Sequence, residues 1–301
     1  MAMSTSNIKL GVAPINWTND DLPELGAENT FEQCISEMAL AGFEGCEVGN
    51  KYPRDTEVLK KALNLRKLQI ANQWFSYELT TKSLQENVVE FNKLLDFLGA
   101  MGCTIVGGGE TGNSCQGKDV PVFEGKGMLH SAADWKKYGE NMNELGKIAS
   151  DRGFKLSFHH HMGTIIQTIE ETDKFLENTN PDYVHLNYDC GHFFFAGEDP
   201  VTALKKYISR VGHVHLKDVR PKVLQRVHDE KWSFLTAVKN GAFTVPGDIE
   251  GSINFPAIFS ILQENNYKGW AIVEAEQDPA KANPLEYALI ARNYIKQNLG
   301  I

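Results

Sequence analysis

The sequence predicts one (β/α)8 barrel, with all 301 residues, 1–301, in a single domain. Three observations support this fold class. Short apolar segments alternate with amphipathic segments along the whole chain, which is the order of strands and helices in a parallel barrel. There are eight segments of each kind. Several apolar segments become polar at their carboxyl ends, the edge at which such a barrel carries its chemistry.

The predicted strands are short runs of apolar and β-branched residues. They cover residues 8–17, 45–50, 68–75, 104–110, 155–161, 184–192, 211–218 and 269–278. A doubly wound open sheet is the alternative. Polar residues at the ends of many strands, instead of at one switch point, favour the barrel.

The predicted helices repeat apolar residues at helical spacing, with Gly42 as a stop signal and Pro200 in a first turn. They cover residues 31–42, 56–67, 83–102, 133–153, 168–179, 199–210, 253–267 and 284–300. The longest irregular stretches, 111–132 and 218–252, each follow a strand. We therefore expect both over the mouth of the barrel.

Composition narrows the class of protein. Hydrophobic content of 42% and charged content of 23% are ordinary for a globular protein, and the net charge is −9. That balance predicts no nucleic-acid and no membrane partner. Without an apolar run of bilayer length or a signal core, we expect a cytoplasmic protein. The five cysteines are odd in number and widely spaced, which predicts buried reduced thiols.

Four strand ends concentrate side chains of the metal-ligand type. Alternation along a strand places four pairs on shared faces: His159 with His161, Asn187 with Asp189, His213 with His215, and Glu274 with Glu276. Histidine and carboxylate ligands that converge suit Mn²⁺, Co²⁺, Fe²⁺ or Zn²⁺. A solvated rim of hydrogen-bonded residues is the alternative. The cost of unpaired buried charge favours the cation.

A glycine-rich segment, Gly107–Gly112, fits the dinucleotide pattern G-x-G-x-x-G, and Gly112–Lys118 imitates a phosphate loop. Loop residues follow instead of a helix, and Asp119 replaces the required serine or threonine. We therefore predict no nucleotide site. The glycines are interpreted as allowing tight turns near the substrate.

The strand ends resemble, over nearly the whole chain, the xylose isomerase-like TIM barrels, which include sugar epimerases and endonuclease IV. The matching motifs are D-x-x-H in Asp189–His192, H-x-H-x-K-D in His213–Asp218, and Y-x-G-x-x-x-x-E in Tyr267–Glu274. The resemblance implies that Asp189, His215 and Glu274 are metal ligands and that His192 contacts the substrate.

One position departs from that superfamily. The resemblance implies a fourth ligand, a glutamate at the end of strand five that moves a proton in the epimerases, but His159 stands there. Either the histidine keeps the ligand role or a water molecule takes it. The change argues against epimerase chemistry.

Three segments resemble one branch, the inosose dehydratases: H-H-H-M-G-T from His159, the pair Asn16-Trp17, and W-A-I-V-E-A-E-Q-D from Trp270. The resemblance implies a Mn²⁺- or Co²⁺-dependent lyase of inositol catabolism, with glutathione as a further cofactor. Its substrate would be a cyclic polyol ketone, 2-keto-myo-inositol, dehydrated to a trihydroxycyclohexane-1,2-dione. Barrels of this type often form homo-oligomers.

Elimination of water requires a base for the α-proton and an acid for the departing hydroxyl. His161 and Glu276 are the candidate bases, and His192 is a candidate acid or substrate anchor. The alternatives are a sugar or inosose isomerase or epimerase and a non-catalytic polyol-binding protein. An abasic-site endonuclease is disfavoured by the acidic balance.

Four further residues are candidates for substrate contacts. Trp17 and Trp74 follow strands, where an aromatic ring could wall a polyol ring or fill the core. Glu47 and Arg220 also end strands and could bind substrate or form rim salt bridges. The adjacent Lys217 and Asp218 are candidates for an internal ion pair.

Overall fold

The computed structural model describes residues 7–301. Residues 1–6, the first of the expected single domain, lie outside this range. Eight strands form one sheet. They are β1 (Ile8–Val12), β2 (Gly45–Glu47), β3 (Gln69–Asn72), β4 (Ile105–Gly108), β5 (Lys155–His159), β6 (Val184–Asp189), β7 (Val211–Leu216) and β8 (Gly269–Val273). Every strand predicted from the sequence is present, though shorter.

The strands are parallel and follow the order β3-β2-β1-β8-β7-β6-β5-β4. The chain after β3 closes the ring against β4 through bridges between Trp74 and Gly107 and between Tyr77 and Glu110. A Cβ atom on Gly108 would lie 1.9 Å from the Phe75 carbonyl oxygen. The glycines therefore permit barrel closure, which is a more specific role than the predicted tight turn.

Helices surround the sheet. They are α1 (Phe31–Ala41), α2 (Thr56–Asn64), α3 (Leu84–Ala100), α4 (Ala132–Asp151), α5 (Ile169–Glu177), α6 (Cys190–Phe195), α7 (Pro200–Tyr207), α8 (Pro221–Asp229), α9 (Phe234–Lys239), α10 (Phe255–Glu264) and α11 (Pro284–Leu299). Local sequence explains their ends. Ser83 and Ser131 begin α3 and α4 with capping boxes, and Gly42 ends α1 in the left-handed conformation.

Two parts of the prediction were wrong. The sixth strand ends at Asp189 and not at residue 192, because the Asp189 side chain caps α6. The stretch 218–252 is not irregular: it contains α8, α9 and a short antiparallel pair of Asp218–Val219 with Phe243–Thr244. The stretch before α4 does lack regular structure, as predicted.

Apolar residues pack on both sides of the sheet. A small cluster of Ala13, Ala71, Trp270 and Ile272 is separate from the larger one that joins strands to helices. In the larger cluster Phe158 lies 4.4 Å from Phe175, ring centre to ring centre. Burying a side chain of this size stabilises the fold by about 1.5–3 kcal/mol. The packed sheet thus holds the strand ends in place.

The five cysteines are free and buried, as predicted. Across residues 7–301, none of the helices is both long enough and apolar enough to cross a bilayer.

Candidate active site

Four strand ends bring one cluster of ligand-type side chains together. Each of its members offers an atom within 4.8 Å of the atoms of the others; they are His159, Asp189, His215 and Glu274. Pairing sets this arrangement, because Asp189 of β6 is level with His215 of β7. His159 Nε2 lies 3.2 Å from Asp189 Oδ2, and His215 Nδ1 lies 2.5 Å from Glu274 Oε2.

Asp189 has a separate task for each carboxylate oxygen. Its Oδ1 atom accepts a 2.9 Å hydrogen bond from the His192 backbone N–H and so caps α6. Its Oδ2 atom faces His159, His215 and Lys217. The D-x-x-H spacing therefore has a physical cause: the cap places His192, three residues later, beside the cluster.

The three consecutive histidines separate by strand alternation. His159 and His161 lie on the cluster side, with ring centres 5.4 Å apart. His160 points the other way, stacks on Phe193 at 3.7 Å, and accepts a 3.1 Å hydrogen bond from the Asp189 backbone N–H. The predicted sharing of faces is thus observed, and His160 supports the site from behind.

Lys217 lies in the middle of the site, fully buried, and is the main residue that sequence reasoning misplaced. Its Nζ atom is 2.9 Å from Glu276, 3.2 Å from Glu274 and 3.4 Å from Asp189. The expected pair with Asp218 does not form. Adjacent residues face opposite sides, and Asp218 accepts hydrogen bonds from the backbone N–H groups of Val219, Ser252 and Ile253.

The site carries more negative than positive formal charge. Four carboxylates, those of Glu47, Asp189, Glu274 and Glu276, are closely grouped around Lys217 and the histidines. His215 adds a second positive charge, because Glu274 and Glu47 raise its pKa well above the usual value although burial alone would lower it. Two negative charges then remain in excess. As a metal ligand His215 would have to be neutral, which leaves three negative charges in excess, and a divalent cation would offset two of them.

Three buried atoms in the cluster lack hydrogen-bond partners, and His159 Nδ1 is one of them. His215 Nδ1 and Glu274 Oε2 are close, yet neither has a partner of acceptable geometry. Buried polar atoms are rarely left in this state. A ring nitrogen and a carboxylate oxygen that lie close together, each with a lone pair, are suitable ligands for a divalent metal. The residues present therefore fit such an ion.

Burial keeps most of the other site histidines neutral. It lowers the pKa of His159 to about 4, with partial opposition from Asp189. The pKa of His192 is well below its usual range because of burial and of the neighbouring His161 and Lys217. Neutral histidines can bind a metal or accept a proton, whereas a cationic one can do neither.

His161 has a defined hydrogen-bond arrangement. Its Nδ1 atom lies 2.8 Å from the Met162 carbonyl oxygen, which can only accept, so Nδ1 carries the proton. In a neutral ring the lone pair is then on Nε2, which lies 3.8 Å from Glu276 Oε1. Burial alone would raise the pKa of Glu276, but Lys217 and His161 lower it to about 2. Glu276 is therefore ionised at neutral pH.

A cavity of about 670 Å³ opens above this cluster. Its lining includes Glu47, Trp74, His161, His215, Glu274 and Glu276, together with Thr111, Ser114 and Gln116 from the irregular stretch before α4. That stretch does lie over the mouth, as predicted. Trp74 presents its ring edge-on to His159 and His161 at 5.5 and 5.8 Å.

Two candidate substrate contacts are placed elsewhere. Trp17 is fully buried, does not line the cavity, and donates a 2.6 Å hydrogen bond from Nε1 to Glu37. Arg220 also lies outside the lining. Its guanidinium binds Asp248 at 2.6 Å and the carbonyl oxygens of Gly241 and Phe243. Trp17 and Arg220 therefore contribute to packing. A strand end supplies side chains to the outer layer of the barrel as well as to its mouth.

Aromatic residues from the stretch 218–252 form a wall that the sequence analysis did not identify. Phe234 lies 5.2 Å from His161, and Phe243 lies 5.5 Å from His192 and 5.0 Å from Lys217 Nζ. An N-cap serine before Phe234 was the available sequence signal. These rings exclude water and so strengthen the charge interactions around Lys217.

Comparison with known proteins agrees with this geometry. The family model of the xylose isomerase-like TIM barrel matches residues 35–297. An inosose dehydratase of Clostridium tetani is 58% identical over 98% of this chain and 98% of its own length, and one of Clostridium perfringens is 56% identical over 99% and 100%.

Solved structures share the fold at low identity. A probable 3-DHS dehydratase, AsbF, from Bacillus anthracis aligns with a TM-score of 0.73 at 15% identity, covering 97% of this chain and 99% of its own. The (β/α)8 barrel that this likeness confirms carries the site at its mouth. By its family model and its full-length relatives, the chain belongs to the xylose isomerase-like TIM barrel family and, within it, to the inosose dehydratases.

Proposed function

We propose that this protein is a metal-dependent hydro-lyase that removes water from inosose, 2-keto-myo-inositol, to give a trihydroxycyclohexane-1,2-dione in inositol catabolism. Its full-length relatives at 54–58% identity carry the name inosose dehydratase. One structural observation supports the proposal most directly. His215 and Glu274 of the buried ligand cluster line the same cavity as His161, whose Nδ1 and not Nε2 contacts the Met162 carbonyl oxygen.

The proposed metal ligands are His159, Asp189, His215 and Glu274. Mixed nitrogen and oxygen ligands suit Mn²⁺ or Co²⁺, and a solved relative of the fold, the IOLI protein, contains zinc. Neutral His159 can keep the ligand role that the superfamily gives to a glutamate. When bound there, a divalent cation would act as a Lewis acid towards the ketone and hydroxyl oxygens of the substrate.

His161 is the proposed base. Its Nε2 lone pair points into the cavity, while the Met162 carbonyl oxygen fixes the tautomer. It removes the α-proton as the carbon–hydrogen bond breaks, and the electrons form the new double bond. Glu276 stays ionised and stabilises the imidazolium that results. This arrangement supports His161 over Glu276, the other candidate base from the sequence.

Departure of the β-hydroxyl requires a proton and a hydrogen-bond donor. The imidazolium of His161 can return its proton to the departing oxygen, which leaves as water, so that protons balance. Lys217 stays protonated, because Asp189, Glu274 and Glu276 raise its pKa against the effect of burial, and its ammonium holds Glu274 and Glu276 in place beneath the cavity. Neutral His192, 2.9 Å from Lys217 Nζ, is fully buried and does not line the cavity, so it is better suited to positioning Lys217 than to acting as an acid.

The lining favours an uncharged substrate. Carboxylates of Glu274 and Glu276 line the cavity, as do those of Asp20 and Asp21, against Arg54 and Lys118. A phosphorylated sugar would meet mostly negative charge there. A neutral polyol can instead accept and donate hydrogen bonds to these groups and stack on Trp74.

The activity is tested with protein stripped of metal by a chelator and then restored with Mn²⁺ or Co²⁺. Incubation with 2-keto-myo-inositol should produce the ultraviolet absorbance of a conjugated enol-dione only after restoration. Parallel reactions with and without glutathione test the cofactor that the family resemblance implies. Consumption of substrate without absorbance would indicate an isomerase, and neither change would indicate a binding protein.

Replacement of His161 tests the mechanism. His161→Gln should lower the turnover number by about 10²–10⁴-fold, which is the range for loss of a general base. The control is His185→Gln, because His185 lies near the opposite end of β6 from Asp189. A primary isotope effect at the α-hydrogen should accompany the wild-type reaction. Full turnover in His161→Gln would contradict the assignment.

A further inference from the structure

Glu47 lies behind the metal-ligand cluster and contacts one of its members. The His215 ring has a nitrogen on each side: Nδ1 faces Glu274 and Asp189, and Nε2 lies 3.1 Å from Glu47 Oε1. Glu47 is itself almost completely buried, with 8% of its surface exposed. Its carboxylate is therefore placed to act on His215 from the side opposite the cluster.

A hydrogen-bond chain holds Glu47 in place. Its Oε1 atom also accepts from Asn72 Nδ2 at 3.0 Å and lies 3.0 Å from His213 Nε2. Asn72 Oδ1 in turn accepts from the Gly107 backbone N–H at 2.9 Å. The chain thus runs from β4 through β3 and β2 to β7, and strand pairing fixes both of its ends.

The chemistry of imidazole gives this contact a consequence. A ring nitrogen binds a metal only through its lone pair, and in a neutral ring the other nitrogen carries the proton. Carboxylate oxygens accept hydrogen bonds and cannot donate them, so Glu47 and Glu274 each favour a proton on the ring nitrogen that faces them. A cation on the Glu274 side would replace the Nδ1 proton and leave the Nε2 proton next to Glu47, where the Asn187 amide, 3.2 Å from Nε2, would present its oxygen. Nδ1 of a neutral His215 is then the nitrogen with the lone pair, and it is the one that faces Glu274.

We propose that Glu47 is a positioning residue of the metal site, which fixes His215 in the tautomer and orientation that present Nδ1 to the cation. This inference rests on the proposed function, since it concerns the ion that the reaction would use. It changes the role expected for Glu47 from the sequence, which was contact with the substrate. Carboxylates behind metal-binding histidines commonly contribute in this way.

The test measures metal affinity, not activity alone. Wild-type protein, stripped and titrated with Mn²⁺ against a chelating dye, should bind one equivalent per chain. Glu47→Gln should bind about 10–100-fold more weakly, which is the usual cost of losing such a partner. At saturating Mn²⁺ its turnover should return towards that of the wild type, because no group that touches the reacting atoms has been lost.

Glu110→Gln is the matched control. Glu110 is also a fully buried glutamate just after a strand, and it accepts hydrogen bonds from Thr80, Leu79 and Gly112 and none from a cluster member. Its Mn²⁺ affinity should equal that of the wild type. Equal losses in both variants would overturn the inference, because general damage to the barrel would then explain them.

A measurement on the wild-type protein does not depend on any variant folding. In Zn²⁺-loaded protein labelled with ¹⁵N-histidine, the His215 ring should show a protonated Nε2 and a metal-shifted Nδ1. The opposite assignment would overturn the inference.

The other outcomes are also distinct. Unchanged affinity in Glu47→Gln overturns this inference and leaves the proposed function intact. Two equivalents in the wild type, with one lost in Glu47→Gln, also overturn it, because Glu47, His213 and His215 would then bind a second ion as ligands. A wild-type protein that binds no divalent cation contradicts the proposed metal dependence, and this inference with it.

Discussion

At the scale of single residues, Lys217 shows how the site tolerates so much buried charge. Its ammonium has no exposure to solvent and lies within 3.4 Å of three carboxylates, those of Asp189, Glu274 and Glu276. Removing one partner of a buried ion pair leaves the other charge uncompensated. Such a loss commonly costs about 3–5 kcal/mol.

We therefore expect Lys217→Met, studied with a chelator present, to lower the free energy of unfolding by about 3–5 kcal/mol. Urea denaturation followed by circular dichroism measures this change. The control is Lys174→Met, which removes an exposed pair with Glu170 and should leave the free energy of unfolding close to that of the wild type. If both variants lose the same stability, the carboxylates do not depend on Lys217.

The strand face on which many site residues lie was predictable from the sequence. The contacts that were not predictable have physical reasons. Alternation along a strand correctly placed His159 with His161 and His213 with His215. The same rule, applied to Lys217 and Asp218, would have separated them. The tautomer of His161 was not predictable, because it depends on the position of the Met162 carbonyl oxygen after the chain turns.

At the scale of elements, closure of the barrel depends on the approach of two segments. The chain after β3 pairs with β4 through hydrogen bonds from Phe75 to Gly107 and from Tyr77 to Gly109, at 2.8 and 2.9 Å. Gly108 lies between these contacts, directly against the Phe75 backbone. Trp74 precedes this segment and lines the cavity, so closure also positions a wall of the site.

Gly108→Ala should therefore destabilise the protein by about 1–3 kcal/mol or more, because its Cβ atom would overlap the Phe75 carbonyl oxygen. Thermal unfolding measures the loss. Gly117→Ala is the control: its Cβ atom would meet no atom within 4 Å. Equal melting temperatures for the two variants would show that the segments can separate at little cost.

The eight strands and eight long helices were predictable from periodicity, whereas the short elements were not. The run 184–192 alternates apolar and polar residues as far as Asp189, and the three residues that follow are too few to show a change to the helical period. Only the cap formed by Asp189 shows where α6 begins. The six-residue α9 is too short for a reliable helical pattern, and the nine-residue α8 lies in the stretch that was interpreted as irregular.

At the scale of the whole molecule, buried neutral histidines make stability depend on pH. Burial lowers the pKa of four of them, with the value for His159 about 4; they are His159, His160, His192 and His213. In the unfolded chain their pKa is about 6.5. Below pH 6.5 the unfolded state therefore binds protons that the folded state does not, and stability falls as the pH falls.

Two groups do not follow this trend below pH 6.5: Asp218 opposes it, and His215 does not contribute to it. Burial raises the pKa of Asp218 to about 6, although backbone N–H groups oppose it, so its protonation stabilises the fold as the pH falls and offsets one histidine. His215 has a raised pKa. Its contribution is fully present below pH 6.5 and is lost only as the pH rises.

We expect the free energy of unfolding of the chelated protein to fall by several kcal/mol between pH 6.5 and 4.5, since each histidine contributes up to about 1.4 kcal/mol per pH unit. His160→Gln should make this slope shallower by about that amount. His130→Gln, at an exposed position, should keep the wild-type slope. Urea titrations at several pH values measure the slopes, and a flat wild-type profile would contradict the prediction.

The sequence by itself determined the class of fold and the ligand types, because periodicity and the polar ends of strands are local properties of the chain. It also contained the motifs that place Asp189, His215 and Glu274 at one edge of the barrel. Only the tertiary structure decided that Lys217 lies among the carboxylates, that Glu47 contacts His215, and that Trp17 and Arg220 belong to packing. The reason is that these contacts join residues distant in sequence, and closure of the sheet sets their distances.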